Sequence, residues 1–291
     1  MMRGPYKAAI AVRRPDGGLY TEVEDVKRHS WQKIPVVRGV GSFIESLVSG
    51  YRYLMKSADI SMSEEEKAEE TPSKLDLWME KHLGEKAMGV VMGAASVLGG
   101  LLAIVLFMVL PTFLVGLLDS VIPLGGLKTL LEGVLKIAIL VAYMAGVSLM
   151  PEIARMFRYH GAEHKTIACY EAGLPLTVEN IRPCSRFHPR CGTSFILIIL
   201  IVSILVFSLL PWTSTGLRVV WKLLCLPLVM GVSYEILKFC GRHDNVVTRV
   251  ISAPGLWLQR ITTKEPDDSM IECAIAAVTP VLPENREDGR W

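Results

Sequence analysis

The chain has 291 residues, a formal net charge of +2 and a hydrophobic fraction of 51%. Its near-balanced charge argues against a nucleic-acid-binding protein, which would need an excess of basic residues. The hydrophobic residues lie in long blocks, a distribution typical of a membrane protein rather than of a globular one. The six cysteines do not follow a secreted disulfide pattern, so we expect reduced thiols on the cytoplasmic side.

Residues 1–56 are predicted to form a small cytoplasmic α+β unit. Residues 7–14 and 19–26 are rich in β-forming side chains, and the Pro-Asp-Gly-Gly sequence between them is a turn signal, so together they predict a β-hairpin. Residues 33–40 have the composition of a third strand, and Pro35 would place that strand at the edge of the sheet.

A helix and a linker are predicted to connect this unit to the membrane. Residues 41–55 carry apolar side chains at four-residue spacing, as one face of a helix does. Residues 57–86 begin with an acidic run, which predicts a solvated linker. The linker ends in a short interfacial helix over residues 74–86.

Four apolar stretches predict a mainly α, polytopic membrane domain over residues 87–240. The first stretch, residues 87–118, has no charged residue and exceeds the about 20 residues that span a bilayer; Pro111 is expected to end or kink it. In the second stretch, Lys136 is expected to reach the lipid headgroups. The four spans are predicted at residues 87–118, 133–150, 193–210 and 219–239.

The distribution of basic residues predicts the orientation. Residues 151–192 and the tail, residues 241–291, are rich in Arg and Lys, whereas the opposite loops are not, so positive-inside counting puts both termini in the cytoplasm. We therefore expect a multi-pass protein of the inner, cytoplasmic membrane of the cell. The tail also predicts two amphipathic helices. They lie at residues 247–261 and 269–278, the second capped by Asp267 or Asp268.

The segment between the second and third spans contains a pattern typical of metal ligands. His160 and His164 are four residues apart, so on a helix both imidazoles lie on one face and can reach one ion. Glu163 lies at the edge of that face. The pattern His-x-x-Glu-His is the inverted form of a zinc-hydrolase motif, in which two His bind Zn²⁺ and the Glu acts as general base. Alternatively, the two His are basic residues at a membrane interface.

Such a site needs a third protein ligand, and the sequence offers several. Cys184, His188 and Cys191 follow in one turn-rich stretch, and thiolate and imidazole both bind Zn²⁺. If only His188 or Cys191 joins, the site keeps an open position for catalysis; if both join, it is structural. Glu235, in the last predicted span, is a further candidate ligand, or it pairs with Lys238. Otherwise the cysteines are ordinary buried thiols.

Four separate segments of the sequence resemble those of a known family. They are MMRGPYKAAIAVRRPDG at residue 1, YHGAEHKTI at residue 159, HPRCGTSF at residue 188 and TTKEPDDSMIECAIAA at residue 262. Together they resemble the DUF1385 family of bacterial polytopic membrane proteins, over nearly the whole chain. The resemblance implies membrane residence and a metal-dependent enzyme, without a known reaction.

These features predict a zinc-dependent hydrolase at the membrane surface, with His160 and His164 as ligands and Glu163 as general base. The substrate is left open among a lipid, a peptide and a membrane protein. The alternative is a non-enzymatic accessory or scaffold protein of a membrane complex, in which the His/Cys cluster is structural. The expected partners are the lipid bilayer and other membrane proteins, and no nucleic acid.

Overall fold

The computed structural model describes residues 1–27, 29–62, 87–212 and 214–285. This part of the chain is mainly helical, with one small sheet at its N-terminal end. Most of the predicted linker, the predicted interfacial helix before the first span and the last six residues lie outside the described residues.

An antiparallel sheet of three strands forms near the start of the chain. Its strands are β1, Met2–Arg3, β2, Lys7–Arg13, and β3, Leu19–Asp25. β2 is the central strand and pairs with β3 in a register that sets Ala9 opposite Val23, which confirms the predicted hairpin. Gly17 has a φ of +84° in the connecting turn, a conformation that glycine adopts without strain.

The predicted strand at residues 33–40 is wrong. Ser30–Lys33 form a short 3-10 turn, and helix α1 then runs over Val37–Ser61. Pro35 has no N–H to donate to a sheet, and Val36 beside it has a φ of +68°, so the backbone leaves the extended path and enters the helix. α1 contains the helix predicted over residues 41–55. It extends to Ser61, into the residues predicted as the start of the linker.

Nine further α-helices follow in the described part of the chain. They are α2 (Ala87–Ile104), α3 (Leu110–Val121), α4 (Lys128–Val147), α5 (Pro151–Glu171), α6 (Val178–Ile181), α7 (Gly192–Ser208), α8 (Thr215–Arg242), α9 (Val246–Thr262) and α10 (Asp268–Val278). The π-helical turn Val105–Val109 joins α2 to α3 without a break. The helix therefore does not end at Pro111. A π turn next to a proline accommodates the missing N–H.

Three helical stretches in this part of the chain are long and apolar enough to cross a membrane. They are Gly93–Val121, Gly125–Val147 and Thr215–Arg242. α7 is strongly apolar but has 17 residues, and at about 1.5 Å per residue it reaches about 25 Å, less than the about 30 Å of a hydrocarbon core. The helices indicate a membrane protein with three candidate spans, and α7, predicted as a fourth, is not clearly one.

A second group of elements packs beside the apolar helices. α10 packs on α5 through buried side chains that include Ala162, Cys169 and Ile271, and it packs on β2 through Ala9 and Ala277. Both tail helices predicted from the sequence are confirmed. The expected cap is confirmed as well, since the side chain of Asp267 accepts a hydrogen bond from N of Met270 at 3.0 Å.

α7 packs against α4, α8 and α9, and it carries the loop before it to the candidate site. Phe195, Ile198 and Val202 of α7 form a buried core with side chains of α8. α9 approaches more closely still, because a Cβ added to Gly255 would lie 2.5 Å from Oγ of Ser194. This close contact holds the N-terminal end of α7 against α9.

Lys136 does not reach the lipid headgroups, contrary to the prediction. Its side chain is buried, and Nζ lies 3.1 Å from Oε1 of Glu132, one turn earlier on α4. Two buried cations of α8, Arg218 and Lys222, contact the same carboxylate. The ammonium of Lys136 also lies 4.9 Å from the ring centroid of Phe207. A carboxylate on α4 is thus shared by three cations between the helices.

Candidate metal centre

Three side chains that can bind a metal ion converge beside α5. His160 and His164 lie one helical turn apart, as their spacing predicts, and their ring centroids are 4.4 Å apart. Cys191 immediately precedes α7, and its Sγ lies 3.2 Å from Nε2 of His160. One ligand atom from each of the three residues lies within 4.8 Å of the other two. Of the third ligands considered, Cys191 is the one that joins the two imidazoles.

Backbone carbonyls hold both imidazoles in a defined orientation. Nδ1 of His160 donates to O of Thr262 at 2.8 Å, and Nδ1 of His164 donates to O of Arg186 at 2.7 Å. Because a carbonyl only accepts, Nδ1 of each ring carries a proton, and a ring in its neutral form then keeps its lone pair on Nε2. Such hydrogen bonds are characteristic of His residues that bind a metal through Nε2.

The carbonyl of Thr262 reaches His160 because the chain after α9 lies directly on α5. A Cβ added to Gly161 would lie 2.0 Å from O of Lys264, so this approach requires a residue without a side chain. N of Lys264 donates to O of Phe157 at 2.8 Å and fixes the segment in place. Thr262 itself ends α9, where carbonyl groups have no partner within the helix.

His160 and Cys191 influence each other's ionisation. Burial by itself would lower the pKa of His160, but the hydrogen bond to Cys191, with the negative charges of Cys191 and Glu163, raises that pKa to about 9. Burial would likewise raise the pKa of Cys191, but hydrogen bonds from His160 and His164 lower it to about 5. In the metal-free protein the pair is a thiolate beside an imidazolium at neutral pH.

His188 lies next to the cluster without joining it. Its ring centroid is 5.9 Å from that of His164. Its Nε2 lies 3.2 Å from Oε2 of Glu171, and its Nδ1 accepts a hydrogen bond from N of Arg190 at 3.3 Å. Burial lowers the pKa of this imidazole. Both ring nitrogens are engaged elsewhere, so the arrangement with four protein ligands is not the one observed.

Glu163 lies beside the cluster on α5. Its Oε1 accepts a hydrogen bond from the amino group of Met1 at 2.7 Å, and its side chain is 25% exposed. Its charge is one of the influences that raise the pKa of His160, after those of Cys191. The carboxylate is close enough to act on the ligand pair electrostatically, and its hydrogen-bond partner is Met1.

Glu235 lies elsewhere in the fold and is not a ligand of this cluster. Its carboxylate binds the guanidinium of Arg38 through both oxygens, with one contact from Nε at 2.7 Å. It also accepts a hydrogen bond from N of Val36 at 3.3 Å. Both interpretations from the sequence, a metal ligand and a partner of Lys238, are corrected: α1 packs along α8, and Glu235 fastens the two helices together.

The other cysteines lie outside the cluster, and a buried glutamine holds the loop that carries Cys191. Sγ of Cys184 donates to O of Asn180 at 3.2 Å, outside the cluster, and all six cysteines are free. Gln259 of α9 is fully buried; it accepts a hydrogen bond from N of His188 and donates one to O of His188, both at 2.8 Å. It positions the loop that carries Cys191. The sequence did not single out Gln259, although a lone amide on an amphipathic helix is a signal for such a role.

Most of the chain is similar in sequence to a described protein family and to one curated protein. The family described as "Protein of unknown function (DUF1385)" matches residues 34–284. A protein of Bacillus subtilis (strain 168) described as "Uncharacterized protein YqhQ" is 35% identical over 290 residues, which cover 97% of this chain and 89% of the relative. No solved structure matches significantly.

Proposed function

The chain belongs to the DUF1385 family, and from the geometry of its own site we propose that it is a zinc-dependent hydrolase at the membrane surface. One observation carries the proposal. His160, His164 and Cys191 place their ligand atoms within 4.8 Å of one another, with the Nδ1 protons of both imidazoles held by backbone carbonyls. The ligand nitrogens are thus oriented by the fold rather than by the ion.

The donor set fits Zn²⁺. Imidazole and thiolate are its usual ligands at about 2.0–2.3 Å, which in a tetrahedral site places the ligand atoms about 3.5 Å apart. The contact between Nε2 of His160 and Sγ of Cys191 is 3.2 Å, and all three atoms lie within 4.8 Å, so small movements would complete the shell. Three protein ligands leave a fourth position open, as in catalytic zinc sites.

The residues of the site have different roles in the proposed hydrolysis. His160, His164 and Cys191 would hold Zn²⁺, which would supply Lewis-acid chemistry and lower the pKa of a bound water to about 7. Glu163, at the edge of the ligand face, would accept a proton from a water at the site as general base. Thr262 and Arg186 act through their carbonyls, which keep Nε2 of each imidazole directed at the shared position.

We propose that the site faces the cytoplasm. In this arrangement α7 is a fourth span, shortened at its ends, and both termini lie on the cytoplasmic side of the inner membrane. The basic residues of the segment 151–192 support this orientation through the positive-inside rule. The six cysteines, none of which forms a disulfide in the structure, also fit a reducing compartment. A substrate would reach the site at the bilayer surface, where a lipid, a peptide or a membrane protein can be presented.

A second function, a non-enzymatic accessory or scaffold, is favoured by α1. One face of this helix exposes large apolar side chains, an arrangement typical of a surface that binds a partner. They are Ile44, Leu47, Val48, Tyr51, Leu54 and Met55. In this function the His/Cys cluster, with or without metal, would hold α5, α7 and α9 together, and another membrane protein would bind α1.

Two measurements separate these functions. The first is the metal content of the full-length protein purified without chelator. We expect about one zinc per chain, lost in His164→Ala and kept in Cys184→Ser, the matched control for removal of a nearby group. The second is hydrolysis of a panel of chromogenic ester, phosphoester and peptide substrates. Glu163→Gln should keep the zinc and lose at least about a hundredfold in rate, the typical share of a general base. Full hydrolysis by Glu163→Gln with zinc retained would rule out Glu163 as the general base. A wild-type protein that holds zinc and hydrolyses none of these substrates would indicate the scaffold.

A further inference from the structure

A cavity with a basic lining lies between α5, the start of α10 and the end of β2. Its volume is about 440 Å³. Three arginines line it, Arg13 from the sheet and Arg155 and Arg158 from α5, together with the single carboxylate of Asp267. The formal charge of these four side chains is +2, so the cavity favours an anion.

The two arginines of α5 are available for a ligand. Arg155 and Arg158 are exposed, and neither forms a hydrogen bond or ion pair within the described residues. Both Nη atoms of Arg13 are already engaged: Nη1 donates to O of Gly17 at 3.0 Å, and Nη2 binds the carboxylate of Glu272 and the carbonyl of Ser269. Only its Nε is buried without a hydrogen-bond partner among those residues. Arginine matches a phosphate because its planar group presents paired N–H donors.

The carboxylate in the cavity does not cancel this charge. Oδ1 of Asp267 accepts hydrogen bonds from N of Met270 at 3.0 Å and from Oγ of Ser269 at 2.6 Å. These bonds fix it as the cap of α10, beside the partial positive charge of a helix N-terminus. Its hydrogen bond from Ser269, with a smaller contribution from Arg158, lowers the pKa of Asp267. Arg155 and Arg158 keep N–H donors that no described residue accepts from.

The position of the cavity relative to the membrane indicates the source of the anion. α4 ends at Val147, and α5 begins at Pro151, which lines the cavity. Between them, Leu149 is 82% exposed and Met150 is 52% exposed, so two exposed apolar side chains directly precede the lining residue Pro151 in the chain. If α4 crosses the bilayer, the cavity lies at the level of the lipid phosphates.

We propose that this cavity binds the phosphate group of an anionic phospholipid, with Arg155 and Arg158 as its principal ligands and Leu149 and Met150 against the acyl chains. The site is separate from the His/Cys cluster, since none of the three cluster residues lines the cavity. The proposal does not depend on zinc or on hydrolysis. It rests on α4 being a span, which its length and composition support.

The test is lipid binding to the full-length protein in detergent, measured by native mass spectrometry. The probes are phosphatidylglycerol, phosphatidylcholine and inorganic phosphate. The variant is Arg155→Gln with Arg158→Gln. The matched control is Arg249→Gln with Arg260→Gln, which removes the same two charges from exposed positions of α9. Both variants change only exposed side chains, and their melting temperatures should match that of the wild type within a few degrees.

We expect the wild type to prefer phosphatidylglycerol to phosphatidylcholine. The double variant in the cavity should bind phosphatidylglycerol at least about tenfold more weakly, because each basic residue at an anionic surface contributes several-fold. The control should stay within about twofold. An equal loss in the control, or no loss in the cavity variant, would overturn the proposal. Inorganic phosphate binding as tightly as phosphatidylglycerol would also overturn it, in favour of a site for free phosphate.

Discussion

His160 and Thr262 are 102 residues apart in the chain, and Nδ1 of His160 donates a 2.8 Å hydrogen bond to O of Thr262. The bond joins α5 to the end of α9, and it sets which nitrogen of His160 faces Cys191. The orientation of a candidate ligand thus depends on how closely the chain after α9 approaches α5. That approach in turn depends on a single glycine, Gly161.

Gly161→Ala is expected to disturb the site from outside it. The added Cβ would lie 2.0 Å from O of Lys264, a backbone atom that moves only with the whole segment. We expect a loss of about 1–3 kcal/mol in stability and a lower zinc content. Gly50→Ala is the matched control, because no atom lies within 4 Å of its Cβ, and it should be neutral or stabilising by up to about 1 kcal/mol. Equal melting temperatures and zinc contents for the two variants would contradict the prediction.

Gln259→Leu is expected to loosen the loop that carries Cys191. It leaves N and O of His188 without the partners that now lie at 2.8 Å. A buried polar group without a partner costs about 1–3 kcal/mol. Thermal unfolding in detergent measures the effect, and Arg260→Leu, one residue along on the exposed side, should change stability by less than about 0.5 kcal/mol. Melting temperatures equal to that of the wild type in both variants would contradict the prediction.

Glu132→Gln is expected to destabilise the membrane helices strongly. Glu132 is 1% exposed, and three cations, Lys136, Arg218 and Lys222, lie against it with at most 4% exposure. Removing the one carboxylate leaves buried charges uncompensated, at a cost of about 3–5 kcal/mol. Glu45→Gln, which breaks the partly exposed pair with Arg3, should cost less than about 1 kcal/mol. Similar unfolding temperatures for these two variants would show that the cations have other sufficient partners.

The ionisation of Cys191 gives a prediction on pH. Its pKa is lowered to about 5 by the two imidazoles, so in chelator-treated protein it stays a thiolate at neutral pH and gains a proton as the pH falls through about 5. The ultraviolet absorbance of thiolates should therefore decrease over that range. Cys191→Ser should abolish this step, and Cys184→Ser should retain it. A step near pH 9 in its place would contradict the lowered pKa.

The sequence predicted the parts of the site that depend on spacing within one element. A spacing of four residues from His160 to His164 places both rings on one face of α5, whatever the rest of the fold does. The choice between Cys191 and His188 depended on the path of a loop, which spacing does not determine. Glu235 was misjudged because its partner, Arg38, is brought to it by the packing of α1 on α8.

Other features had no signal in the sequence. The carbonyls of Thr262 and Arg186 belong to the backbone, so their roles do not depend on residue type. Lys136 was expected at the lipid headgroups because it lies near one end of the predicted span. The packing of α8, which brings Arg218 and Lys222 to the same carboxylate, Glu132, has no signal in the sequence. The predicted strand before α1 failed because the composition of a short apolar segment does not distinguish a strand from a helix.

The central claim is that His160, His164 and Cys191 together bind one zinc ion. Zinc X-ray absorption of the full-length protein, purified without chelator, tests it most directly. The account predicts two imidazole nitrogens at about 2.0–2.1 Å, one sulfur at about 2.3 Å and one further light atom. The sulfur should disappear in Cys191→Ser and remain in Cys184→Ser. Protein without zinc, or zinc with no sulfur or with more than one, would contradict the account.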